Sequence, residues 1–277
     1  MLVEIIFWGV LGLILGSFAN VLILRGGSGM GGRSACPHCH RGLSWFELFP
    51  VVSWIVLRGK CRTCCAPISL QYPIVELLMA VGTLGVGLAP LPLTLKLLGV
   101  AIVLLLLCIA VYDLYHTIIP DRWSYSFAAL ALIFGALARE PWNDGLFMFL
   151  IAGPLLALPL AGLWLFSRGT WMGLGDAKFA LGIGWLLGIF PGYVALCLAF
   201  CTGALVGVFI LLPLKHITAF VRERRITHFV FAHAAFTMKS EVPFAPFLIL
   251  GLCIIWFGQL YAIDIPAILS AALVLSN

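Results

Sequence analysis

Two acids stand out against an otherwise apolar sequence. Asp176 closes the tetrapeptide Gly173-Leu174-Gly175-Asp176, which follows one long apolar run and opens another. Asp113 ends an apolar run of its own and begins a stretch that continues through His116 to Pro120 and Asp121. An ionisable acid at the mouth of a membrane helix is expensive and marks a functional site. Two carboxylates beside one water have the chemistry of peptide hydrolysis. Neighbouring like charges cannot both ionise cheaply, so one keeps its proton as the acid and the other serves as the base. Gly173 and Gly175 leave the backbone free for unusual dihedrals and allow a substrate peptide to come close. Lys178 is positioned to tune Asp176 or to bind an acidic group of a substrate, or else to snorkel to headgroups. Asp121, after Pro120, reads as the start of a helix, whose positive end favours a carboxylate, and His116 reads as polar surface. The chain has no D-T-G or D-S-G triplet, which excludes a pepsin-like pair of lobes, and no G-x-S-x-G.

A second constellation is built from sulfur. Of the nine cysteines, Cys108, Cys197, Cys201 and Cys253 lie in apolar runs and read as small buried hydrophobes. Cys36-Pro37-His38-Cys39 and Cys61-Arg62-Thr63-Cys64, separated by residues 40–60, have the spacing of a four-cysteine zinc site. Each C-x-x-C turn offers two thiolates to one side of a tetrahedral ion. Such a site is structural, holding together a loop with no core of its own. Cys65 leaves the second turn ambiguous by one residue, and His38 or His40 is an alternative ligand.

The elements that position these groups are membrane helices. The chain is 63% hydrophobic and 10% charged over 277 residues, far from the balance of a soluble domain. Several runs reach the roughly 20 residues needed to cross about 30 Å of hydrocarbon. The expected fold is an all-α polytopic membrane protein of about eight spans: 2–24, 71–89, 93–112, 123–138, 145–166, 177–190, 192–213 and 243–263. Residues 2–24 lack a basic start and a small-residue cleavage site, so they read as a retained first span. Residues 25–70 form a small zinc-ribbon-like loop domain, and 71–277 the remaining membrane domain with a loop at 214–242. That loop mixes Lys215, Arg222, Arg224 and Arg225 with apolar residues, as a basic amphipathic helix on the bilayer does. The apolar tail 266–276 is too short to cross alone.

Charge sets the orientation. With loop 25–70 in the cytoplasm and the N-terminus outside, all of the 16 Lys and Arg except Lys96 and Arg139 fall on the inner side. Asp113 and Asp176 then lie at one depth, at the cytoplasmic ends of their spans. The net charge of +5 is too small and dispersed to imply a nucleic-acid partner. Glu76, early in the second span, needs a partner inside the bundle. Asn20, in Gly16-Ser17-Phe18-Ala19-Asn20, can hydrogen-bond across a close helix contact.

Taken in order, the blocks GSFANVLILR (16–25), the paired C-x-x-C turns with APIS (66–69), YPIVELL (72–78), D-x6-PD (113–121), GLGDAKF (173–179) and VPFAPFL (242–248) resemble the bacterial type IV prepilin peptidases over nearly the whole length. The resemblance implies a bacterial inner-membrane aspartic endopeptidase. It would cut the basic leader from type IV prepilins or pseudopilins after a Gly, at the cytoplasmic face of the lipid bilayer. It would then N-methylate the new terminal residue, usually Phe, from S-adenosylmethionine. Asp113 and Asp176 match the family's catalytic pair, and Cys36, Cys39, Cys61 and Cys64 its cysteine tetrad. Ala80 and Ala245 stand where the family usually has Gly. Competing readings are a peptidase without methyl transfer, a presenilin-like or preflagellin-type GxGD protease, and an ion-coupled transporter. The cysteine loop argues against the second. Acids at one face rather than at the midplane argue against the third.

Overall fold

The structure, a computed structural model, describes residues 1–25, 34–138, 145–170, 172–211 and 243–262. Among these the chain is helical, with isolated β-bridges only. Among the described residues, eight helices overlap the stretches expected as spans: α1 (Leu2–Arg25), α3 (Gln71–Gly87), α4 (Leu93–His116), α5 (Asp121–Ala138), α6 (Leu146–Ser167), α7 (Leu174–Leu187), α8 (Ile189–Val206) and α9 (Ala245–Leu260). A short helix, α2 (Val52–Val56), lies in the cysteine loop, and one π-helical turn, Gly207–Leu211, extends α8. Four helices are long and apolar enough to cross a bilayer, namely α1, α4, α6 and α8 with its extension to Phe209, whereas α3 and α9 are shorter apolar helices. Loop 214–242 and tail 266–276 lie outside the described residues.

Helix contacts follow the placement of small residues. On α1, a Cβ at Gly12 or Gly16 would lie 2.5 Å from the Cα of Ala80 or Glu76, so α1 and α3 touch backbone to backbone. Asn20 Nδ2 donates to Gly16 O and across the contact to Tyr72 O. That is the close, hydrogen-bonded crossing the sequence predicts.

α7 is the central helix, packed between α5 and α6 and touching α8 and α9. Its contact with α6 solves a backbone problem. Pro154 and Pro159 lie inside α6 and supply no N–H to the carbonyls of Leu150 and Leu155. In lipid a freed carbonyl has no water to turn to. Trp185 Nε1 on α7 donates to Leu150 O at 3.1 Å, and Tyr193 Oη on α8 donates to Leu155 O at 3.0 Å. Gly153 opens the space for the Trp185 indole, which a Cβ there would meet at 2.6 Å. On the opposite side of α7, Phe179 stacks on Phe127 of α5 at 4.7 Å. These contacts fix the helix that begins with GLGD.

Candidate active site

Asp113 lies in the last turns of α4, three residues before its end. The helix stops because Thr117 adopts the left-handed conformation, φ 53°, and returns its N–H to Asp113 O at 2.8 Å. The chain then runs through Ile118 and the buried Ile119 to Pro120, whose carbonyl receives the amides of Trp123 and Ser124 as α5 begins. This gives the D-x6-PD spacing a structural meaning. Asp113 closes one helix, Asp121 opens the next, and Ile119 between them points at Gly175 of GLGD.

The Asp113 carboxylate is 3% exposed, and its Oδ2 accepts the backbone N–H of Ala245 at 3.0 Å. Ala245 is the first residue of α9, so its amide is one of the donors that every helix start leaves without an intrahelical partner. The next residue, Pro246, has no amide to offer. Sequence reading noted Ala245 only as a departure from a family pattern and missed this bond. The proline one residue later was the available signal, because proline favours the first turn of a helix.

Asp176 sits in the first turn of α7, three residues after the N-cap Gly173. Its carboxylate is 8% exposed and takes a hydrogen bond from the backbone of Gly173, the reach-back of a capping box. It also interacts electrostatically with Asp113, like charge with like. The two acids, on α4 and α7, are thus near enough for the charge of Asp113 to act on Asp176, and each takes one backbone amide from a helix start. The glycines work by space rather than by rare dihedrals. Gly173 is extended at φ −73°, and neither glycine has positive φ. A Cβ on Gly175 would lie 3.2 Å from Ile119 Cβ; among the described residues, one on Gly173 would meet Asp176 Oδ2 at 3.7 Å and the amide of Gly175 at 3.9 Å.

Lys178 turns away from this pair. Its Nζ binds Asp121 Oδ1 at 2.6 Å and lies over the Tyr125 ring, bridging α7 to α5. His116 is exposed and stacked on Tyr112, with ring centroids 4.1 Å apart. Glu76, 6% exposed, is not at the acid pair either. Its Oε2 accepts the N–H of Val51 at 2.7 Å, and its carboxylate also bonds the Ser17 hydroxyl.

The cysteine loop folds as two matching turns. Cys36 N–H donates to Arg41 O and His40 N–H to Cys36 O; in the second turn Cys61 N–H donates to Ala66 O and Cys65 N–H to Cys61 O. His40 and Cys65 are equivalent, both left-handed at φ 54°, and each turn carries one bridge, Ala35 with Gly42 and Lys60 with Pro67. The sulfurs of Cys36, Cys39, Cys61 and Cys64 all lie within 4.8 Å of one another. Four thiolates about 2.3 Å from one ion define a tetrahedron with edges of about 3.8 Å. The Cys36–Cys64 and Cys39–Cys61 separations are 3.8 Å and 4.0 Å, so the tetrad fits a tetrahedral metal ion. Amides of Cys64 and Thr63 hold the Cys61 thiol down to about 6. Cys64 receives a lowering bond from the Ala66 amide, but burial and the thiols of Cys61, Cys39 and Cys36 push it up to about 11. Beside the tetrad, Arg41 pairs with the buried Glu47 at 2.5 Å, and Glu47 also accepts the Ser44 N–H. The Glu47 carboxyl is held below its usual range by that amide and by Arg41.

Comparison with known proteins bears on what this arrangement does. Residues 10–89 match the bacterial peptidase A24 N-terminal domain, and residues 100–208 match the type IV leader peptidase family. The first range contains Asn20, the cysteine tetrad and Glu76, and the second contains Asp113 and Asp176. Similar proteins are named prepilin leader peptidase/N-methyltransferase. The one from Aeromonas hydrophila is 32% identical over 66% of this chain and 64% of its own length. That from Myxococcus xanthus is 35% identical over 75% of this chain and 63% of its own. That from Bacillus subtilis is 34% identical over 72% of this chain and 79% of its own. The chain therefore spans just under two thirds of the length of the first two relatives. No solved structure matches it.

Proposed function

The chain belongs to the type IV leader peptidase family, and on that premise we propose that it removes the leader from prepilins by general acid–base catalysis at Asp113 and Asp176. The observation that carries this reading is a pair of buried carboxylates on separate helices, near enough for the charge of Asp113 to act on Asp176. The ionised carboxylate takes a proton from water as the water oxygen attacks the peptide carbonyl. The protonated partner gives its proton to the carbonyl oxygen. Collapse of the tetrahedral diol breaks the C–N bond as a proton passes to the leaving amine, and the pair is left sharing one proton again. The amides of Ala245 and Gly173 hold the two carboxylates in place through this exchange.

The tetrad of Cys36, Cys39, Cys61 and Cys64 holds Zn2+ in a closed, structural site, supported by its tetrahedral edges and thiol-only donor set. Methyl transfer from S-adenosylmethionine to the new N-terminus rests on the relatives' names, and no residue is assigned to it. We read the chain as a first span (1–24), a cysteine module (25–70) and a membrane peptidase portion (71–277) in the bacterial inner membrane. The N-terminus is outside and the acid pair opens to the cytoplasm.

The test is leader removal from a prepilin by purified protein in lipid nanodiscs, read by mass spectrometry. Asp113→Asn and Asp176→Asn each abolish cleavage while keeping parental metal content and helicity. Parental cleavage by either single variant overturns the assignment. The mass of the mature product separates cleavage from methylation, since the extra methyl is resolved on the same peptide.

A further inference from the structure

The cysteine module does not simply rest on top of the helix ends. Glu76 lies five residues into α3 from Gln71, about 7.5 Å along the axis at about 1.5 Å per residue. Gln71 itself marks the end of the bundle, because Tyr115 at the close of α4 donates to its Oε1 at 2.7 Å. Yet Val51 of the module donates its N–H to Glu76 Oε2, and Glu76 also bonds Ser17, eight residues inside the Arg25 end of α1. The segment around Val51 is therefore sunk beside the helices, level with residues whose neighbours Phe18, Ile74 and Leu77 are exposed on the outside of the bundle. Val51 is held there at φ 60°, ψ −49°. For a β-branched residue that conformation is strained, and the Glu76 carboxylate holds the Val51 amide in it.

What the segment turns outward at this depth is apolar and aromatic. Trp45, Val56, Ile55, Val52, Phe49 and Phe46 are 75%, 72%, 61%, 59%, 52% and 40% exposed. Trp54 faces inward instead, lying over Gly59 and donating to Ile68 O, which stiffens the frame. Exposed Arg58, Lys60 and Arg62 flank the patch, and Arg62 stacks over the Phe46 ring at 5.3 Å. Aromatic residues beside cations, at the level of helix termini, are the composition of a membrane–water boundary.

We propose that residues 45–56 form a membrane-inserted wedge. Its outward apolar side chains, Leu48 among them, lie at the acyl–headgroup boundary of the leaflet that meets the Arg25 end of α1. Arg58, Lys60 and Arg62 lie among anionic headgroups. The wedge anchors the cysteine module beside the membrane mouth that holds Asp113.

The unmodified protein, in nanodiscs containing phosphatidylglycerol and a phosphatidylcholine with a diazirine in its acyl chain, provides the test. After irradiation, trypsin releases the peptide Gly42–Arg58, which is expected to carry the lipid label. Absence of label on this peptide, with label present on the helices, overturns the wedge. Benzoylphenylalanine at Phe49 or Ile55 gives a second reading: a mass gain of one phospholipid is expected, and none at the knuckle residue Thr63. Adducts at Phe49 and Ile55 that join instead to a second copy of the chain, or to an added prepilin peptide, also overturn it.

Discussion

The hydrogen bond from Trp185 to Leu150 O can be measured because the reason for it is local. Trp185→Phe keeps an aromatic ring in the slot opened by Gly153 and removes only the donor. The Leu150 carbonyl then has neither the amide that Pro154 cannot supply nor water. An unsatisfied buried polar group costs about 1–3 kcal/mol, and interhelical bonds in membrane proteins average about 0.6 kcal/mol with a maximum of about 1.7 kcal/mol. The expected destabilisation is therefore about 1 kcal/mol. In a Pro154→Ala background the alanine N–H reaches Leu150 O from within α6, and the indole donor becomes dispensable. The cycle of Trp185→Phe and Pro154→Ala should give a coupling of about 0.5–1.5 kcal/mol. Reversible unfolding in mixed micelles, followed by far-UV circular dichroism, measures each corner. Equal costs in both backgrounds, within about 0.5 kcal/mol, refute the reasoning. Tyr193→Phe with Pro159→Ala repeats the experiment one turn along.

Gly16→Leu should force α1 from α3, because its Cβ meets the Glu76 backbone at 2.5 Å; the expected loss is at least about 1–3 kcal/mol in the same unfolding assay. Gly175→Ala should lower leader cleavage without unfolding the protein, and Ile119→Gly should restore part of it by removing the Cβ that the new methyl meets at 3.2 Å; cleavage rates compare the parent, the single variant and the double variant. Cys64→Ser should remove bound metal, whereas Cys65→Ser, at the position equivalent to His40, should retain it, as elemental analysis of purified protein reports. Lys178→Met should change stability by less than about 1 kcal/mol, because Asp121 is 62% exposed, and full loss of cleavage would show a role beyond that ion pair.

The helices were largely legible because a run of apolar residues is a long, redundant signal. Their ends were less so. Residues 93–112 were expected to form one span, and the helix continues to His116, stopped by the left-handed Thr117. Residues 177–190 were expected as another, but α7 begins at Leu174 and ends at Leu187. The capping relation between Gly173 and Asp176 extends it at one end, and Gly188 at φ 90° cuts it at the other. The grouping of four cysteines was readable from spacing, while the place of Cys64 rather than Cys65 in the cluster needed the turn geometry. Asn20 and Glu76 could be said to need partners, but the partners are backbone groups of Tyr72 and Val51. Backbone donors and acceptors exist at almost every residue and leave no mark in a sequence. The same applies to the amide of Ala245, far along the chain from Asp113.

That last contact has a consequence for biosynthesis. Both acids are translated well before α9, yet Asp113 takes its backbone donor from the first residue of that helix. A ribosome-bound chain that has not yet reached Phe244 carries the two reactive groups without the amide that fixes one of them. On the proposed mechanism, the acid pair is complete only once α9 has been made and its first amide has reached Asp113.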